Sequence, residues 1–174
     1  KAMGNSKRNL AYLVLGVILI SSFAIMHSVS SQESAIVDEM AHIPAGYGYD
    51  KYFDYRLNPE HKTKKKMLAG LPLVFLDLKF PTDQASWQSD VNGQWATGDQ
   101  FVYGGDNDAD TIIQWARLGP MLLTFLLGLF IYWWSKELLG PWWALLPALL
   151  FGFSPTVLEH GHFVTTDIGA SLGV

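Results

Sequence analysis

Apolar positions along this chain gather into three long runs, separated by one polar stretch of about eighty residues. Residues 10–29 carry no Asp, Glu, Lys or Arg. As a helix they would extend about 30 Å, the thickness of a hydrocarbon core. Residues 114–137 form the second run and residues 141–158 the third, joined by a short turn at Gly140-Pro141. Tyr132, Trp133 and Trp134 precede that turn, and Trp142 and Trp143 follow it, as aromatic rings do at a membrane interface. A fourth apolar patch at 67–76 is only ten residues long and contains Pro72. That is too short to cross a bilayer, and it predicts an interfacial helix near 67–79.

These runs predict an all-α polytopic membrane protein. Residues 1–9 form an inside amino terminus, 10–29 a first span, and 30–113 a large outer loop. Residues 114–137 and 141–158 are two further spans, 159–167 a second outer loop, and 168–174 the start of a truncated fourth helix. Lys7 and Arg8 put the amino terminus on the cytoplasmic side. The same basic start would suit a cleavable signal peptide, but the length of the run and its flanks favour a retained span.

Charge sharpens attention on the outer loop. The chain carries a net charge of −4 and no cysteine, so disulfides and thiolate metal sites are excluded and nothing suggests nucleic acid as a partner. Between Ser30 and Asp110 stand thirteen acidic and seven basic residues, a net of −6. Directly after the first run come Asp38, Glu39 and His42. On a helix Asp38 and His42 stand at i, i+4, and Glu39 and His42 at i, i+3, so they are able to share a face. A carboxylate at the low-dielectric membrane edge should hold its proton more tightly, which suits a general base. The plainer reading is an acidic first helical turn favoured by the helix dipole. The stretch from Gly46 to His61 is rich in Tyr, Asp, Arg and Asn, which fits either a sugar or phosphate head or ordinary turns. Glu159, His160 and His162 with Asp167 form a third cluster, readable as zinc ligands or as a hydrogen-bonded turn. Asp167 stands where an apolar segment begins, as a functional acid or as a helix cap.

The combination Asp38-Glu39, then Gly46-Tyr47-Gly48-Tyr49, then Asp54-Tyr55-Arg56-Leu57-Asn58-Pro59-Glu60-His61, and Thr165-Thr166-Asp167 resembles the dolichyl-phosphate-mannose–protein mannosyltransferase family. More broadly it resembles phospholipid-carrier-dependent glycosyltransferases of the GT-C fold. The stretch from Phe101 to Arg117 also resembles that family, so the likeness touches almost the whole chain. It implies the amino-terminal part of a bacterial plasma-membrane enzyme, inactive as this part alone, with its active site on the extracytoplasmic face. The implied reaction moves a sugar from a polyprenyl-phosphate donor to a hydroxyl on a protein, lipid or glycan acceptor, with inversion. It further implies Asp38 as the catalytic base, with Glu39 and Asp167 as acidic partners. Arg56, Asn58, Glu60, His61 and Arg117 would bind substrate, the two arginines facing the leaving phosphate. No cofactor is firmly implied; Glu60, His160 and His162 are the candidates for a divalent cation. One departure stands out. Where the family continues with prolines after Asn-Pro-Glu-His, this chain has Lys62-Thr63-Lys64-Lys65-Lys66, suited to phosphate or anionic headgroups. The alternative function is a non-enzymatic membrane subunit or transporter fragment whose acidic loop binds a partner.

Overall fold

The computed structural model describes residues 5–59, 63–165, 170–171 and 173. Glu60, His61 and Asp167 lie outside the described residues, as does most of the expected fourth helix. The chain is all-helical, with no strand among the described residues. In chain order the helices are α1 Asn5–Ser30, α2 Val37–Tyr52, α3 Thr63–Leu73, α4 Ala85–Gln88, α5 Gln94–Tyr103, α6 Ala109–Trp143, α7 Leu145–Gly152 and α8 Pro155–His160.

Two of these, α1 and α6, are long and apolar enough to cross a membrane. They run antiparallel. Arg117, near the start of α6, meets Ser30 at the end of α1, whereas Tyr132 packs edge-on against Tyr12 near the start of α1. Asp108 caps α6 by accepting the Thr111 backbone N–H. The helix turns at Gly140, whose φ of 79° is open to glycine without steric cost.

The expected third span at 141–158 is not one helix. After Pro141-Trp142-Trp143 the chain forms α7, leaves helical geometry at Phe153 and Ser154, and resumes as α8 at Pro155. Proline disfavours the α conformation in the residue before it, which explains the break at Ser154. This broken path still runs the length of α1. Ala144, Leu145 and Ala148 join Ala11, Leu15, Ile18 and Leu19 in one core. Farther on, Gly152 faces Ile18 and Ser22, and Gly161 faces Met26 and Thr124. Residues 140 and 161 therefore sit at opposite ends of the bundle.

At the α1 carboxyl end sits a second core, built by α2, α3, α5 and the start of α6. Ile43, Tyr47, Leu73, Phe101, Ile112 and Val164 are all buried in it. The predicted interfacial helix appears as α3, shifted to 63–73. It wedges between α2 and α6, burying Ala69 and Leu73 and leaving Leu71 exposed, with Phe75 exposed just beyond its end. Close approach is what allows the wedge. A methyl at Gly46 would run into the Lys66 carbonyl, and one at Gly70 into the Gly46 carbonyl. Only glycine lets the two backbones touch there.

Candidate functional site

The start of α2 is fixed from within. Glu39 Oε2 accepts the Ile36 N–H at 3.1 Å, closing the first turn on itself. The same carboxylate receives Arg117 in two-pronged fashion, Nε to Oε1 at 3.0 Å and Nη2 to Oε2 at 2.7 Å. Both side chains are fully buried. A buried ion pair holds together only when its remaining donors and acceptors are also satisfied. Here they are. Arg117 Nη1 donates to the Ser30 and Glu33 carbonyls, and Nη2 to the Ser34 carbonyl. The Phe163 ring lies 5.0 Å from the guanidinium carbon. One arginine on α6 thus collects the end of α1, the 31–36 turn, the start of α2 and the 161–165 segment.

That last segment is held at every residue from 161 to 164. Thr124 Oγ1 donates to the Gly161 carbonyl at 2.7 Å. His162 places Nε2 2.9 Å from Glu33 Oε2 and Nδ1 3.1 Å from the Leu158 carbonyl. Phe163 lies under Arg117, and its ring centre is 4.3 Å from that of His162. Val164 donates its N–H to Glu39 Oε1 at 3.0 Å, and its carbonyl lies 2.7 Å from His42 Nδ1. A carbonyl can only accept, so His42 carries its proton on Nδ1. The i, i+3 pair Glu39 and His42 therefore grips the two polar groups of one residue.

Asp38 has the opposite environment. It occupies the same first turn of α2 but is exposed. Its i, i+4 neighbour His42 is buried against Val164, so the two do not present a common exposed face. Arg117 is far from free: every nitrogen of its guanidinium already donates within the protein. The phosphate contact expected of it has no donor left, and its role here is structural.

Arg56 and Asn58 are not beside Asp38. Trp87 touches Gly48 near the far end of α2, and Arg56 lies 5.1 Å above the Trp87 ring. Ten residues of helix separate positions 38 and 48, about 15 Å. The sequence-predicted residues thus divide between the two ends of α2. Lys66 departs from the headgroup contact expected of the lysine run, while the side chains of Lys62, Lys64 and Lys65 lie outside the described residues. Lys66 is buried, donating to the Asn58 carbonyl and to Asn58 Oδ1, with its ammonium over the Tyr49 ring. Asn58 itself has a φ of 48°, a left-handed conformation that asparagine tolerates better than most residues.

Of the metal candidates, His160 is exposed and His162 is buried with both ring nitrogens facing oxygen acceptors. Among the described residues no three His, Asp or Glu side chains converge as a metal site would require. Burial raises four groups on α2: the Tyr47 and Tyr52 hydroxyls, the Tyr49 hydroxyl to about 12 and the Asp50 carboxyl to about 6. Asp50 Oδ2 is buried with no hydrogen-bond partner among the described residues, close to Gly70 at the α2–α3 crossing.

Sequence reasoning missed Glu33 and Thr124, and assigned Lys66 to a headgroup rather than to Asn58. For the Glu39–Arg117 pair a signal was available. Arg117 is the only Lys or Arg between Lys79 and Lys136, and a lone cation at the entrance to an apolar helix needs an acidic partner. Comparison with protein-family models, curated proteins and solved structures yields no match for this chain.

Proposed function

We propose that this chain belongs to a membrane glycosyltransferase that moves a sugar from a polyprenyl-phosphate donor to a hydroxyl acceptor on the extracytoplasmic face, with inversion. The membrane part of the reading is supported by an apolar surface. Leu13, Val17, Ile20, Leu122, Leu126, Phe130 and Leu150 are all exposed along α1, α6 and α7. A soluble protein rarely leaves so long a band uncovered, and lipid is the solvent that suits it. Lys7 and Arg8 at the start of α1 favour a cytoplasmic amino terminus, and in this reading α2 and the 161–165 segment face outward.

The observation that carries the catalytic part is the contrast within one helical turn. Glu39 is locked to Arg117 and Val164, and Asp38, its neighbour in the same first turn of α2, is left exposed. In the proposed step Asp38 takes the proton of the acceptor hydroxyl as its oxygen attacks the anomeric carbon. The bond from that carbon to the phosphate oxygen breaks, and its electron pair leaves with the polyprenyl phosphate. Arg117 is saturated and Arg56 is remote, so the leaving phosphate is assigned to neither. The bilayer in this reading supplies the donor, whose lipid chain stays in the membrane while its head reaches the outer end of α2.

The test is Asp38→Asn in the intact protein, assayed in membranes with a radiolabelled polyprenyl-phosphate hexose. Loss of a general base lowers transfer about 10²–10⁴-fold, with donor binding retained. Unchanged turnover in Asp38→Asn sinks the assignment of Asp38, and an absence of transfer by the parent protein itself returns the chain to a non-enzymatic role.

A further inference from the structure

Residues 82–100 have a composition that the transferase reading does not use. They contain four glutamines, one asparagine, two tryptophans and three aspartates, without a single Lys or Arg. The fold gathers part of this segment around a cavity of about 240 Å³, walled by Arg56, Asn58, Trp87, Asp90, Asn92 and Gln94. It lies beyond the far end of α2, some 15 Å of helix from Asp38.

The wall is arranged, and its charge is balanced. Arg56 Nη2 pairs with Asp54 Oδ2 at 2.7 Å, and Nη1 donates to the Trp87 carbonyl at 3.2 Å. Its plane rests over the Trp87 ring. Among the described residues the one cation in the wall is thus neutralised by a neighbour, while Asp90 adds a carboxylate. Against these described residues a phosphate or carboxylate ligand would meet no net positive charge, where an anion gains little. Side-chain amides are different: each offers two donors and an acceptor without charge. Gln94 donates to Asn92 Oδ1 at 3.0 Å, tying together two of the amides that line the cavity. Leu57, Val91 and the Trp87 ring supply apolar surface to the same cavity.

Amides and one carboxylate for hydroxyl groups, with apolar patches for C–H faces, are the complement of an uncharged sugar. The volume falls below the roughly 300–1,000 Å³ of sites for drug-sized ligands, so it suits a single ring. We infer that this cavity is a saccharide-binding subsite for one uncharged pyranose unit, separate from Asp38. The inference stands on the cavity alone and does not require the transferase reading.

Saturation-transfer NMR on the intact protein in nanodiscs tests it, using methyl glycosides of mannose, glucose and N-acetylglucosamine, with inorganic phosphate as competitor. At least one glycoside is expected to give a signal that phosphate does not displace and that Asp38→Asn retains. Asp90→Ala and Asn92→Ala change exposed side chains, so the melting temperature should hold while affinity falls about tenfold, the scale of one lost charged hydrogen bond. The inference is overturned if no glycoside gives a signal, if both variants bind as the parent does, or if phosphate displaces the sugar and Arg56→Ala abolishes that competition. Because Asp38→Asn reads catalysis and the cavity variants read binding, either proposal can fail while the other survives.

Discussion

Arg117 and Arg56 each hold a carboxylate oxygen at 2.7 Å, yet the two pairs do different things. The Arg117–Glu39 pair has no solvent exposure on either side chain, whereas Arg56 and Asp54 are 49% and 24% exposed. Glu39 reaches Arg117 across 78 positions of sequence, and Asp54 reaches Arg56 across two. The first pair joins four segments; the second only shapes a turn and one wall of a cavity. Distance alone therefore says little about what an ion pair is for. The surrounding dielectric and the number of further hydrogen bonds decide it.

The sharpest way to break this comparison is to remove one partner of the buried pair. Glu39→Gln or Arg117→Ala should cost about 3–5 kcal/mol, because the survivor is left as an uncompensated buried charge. Thermal unfolding of the purified protein in detergent reads the loss directly. A drop no larger than that of an exposed pair would mean that the clamp does not hold this end of the bundle together.

Asp50 extends the comparison to a carboxylate that pairs with no cation among the described residues. Burial raises its pKa from 3.8 to about 6, so folding favours the protonated form. Stability then falls as pH rises from 3.8 through about 6. The penalty is absent below that window and fully present above it. Since Asp50 is only partly buried, the effect is discounted to less than about 1 kcal/mol. Asp50→Asn should raise the melting temperature by no more than roughly 2–4 °C at neutral pH, with no gain below pH 3.8. A gain that is independent of pH would remove ionisation as the cause.

Arg56→Ala should have the smallest effect on the fold, about 0.2–1 kcal/mol, and less at high salt. A loss comparable to that of Arg117→Ala would erase the distinction drawn between the two pairs.

The helical content and the positions of α1 and α6 were legible because long uncharged runs at membrane length have few other uses. The 141–158 segment was legible as apolar but not as broken, although Ser154-Pro155 was in plain view. The pattern of hydropathy outweighed a local rule about the residue before proline. The 67–76 patch also carried its apolar character openly, but not its place. Helix α3 buries one side between α2 and α6 through Gly46 and Gly70, and a short amphipathic stretch reads the same whether lipid or protein covers it.

The chain by itself determined where apolar surface must be hidden, which end of α1 carries positive charge, and that acids crowd just beyond that helix. Those follow from transfer energies and local spacing, which need no partner across the fold. Only the tertiary structure decided which acid is buried and which is presented. Asp38 and Glu39 are adjacent and chemically alike, and nothing local separates them. An arginine 78 positions away makes one a structural anchor, and the turn it fixes leaves the other facing solvent. Long-range electrostatic pairing of this kind is invisible to periodicity, because it depends on which segments packing brings together.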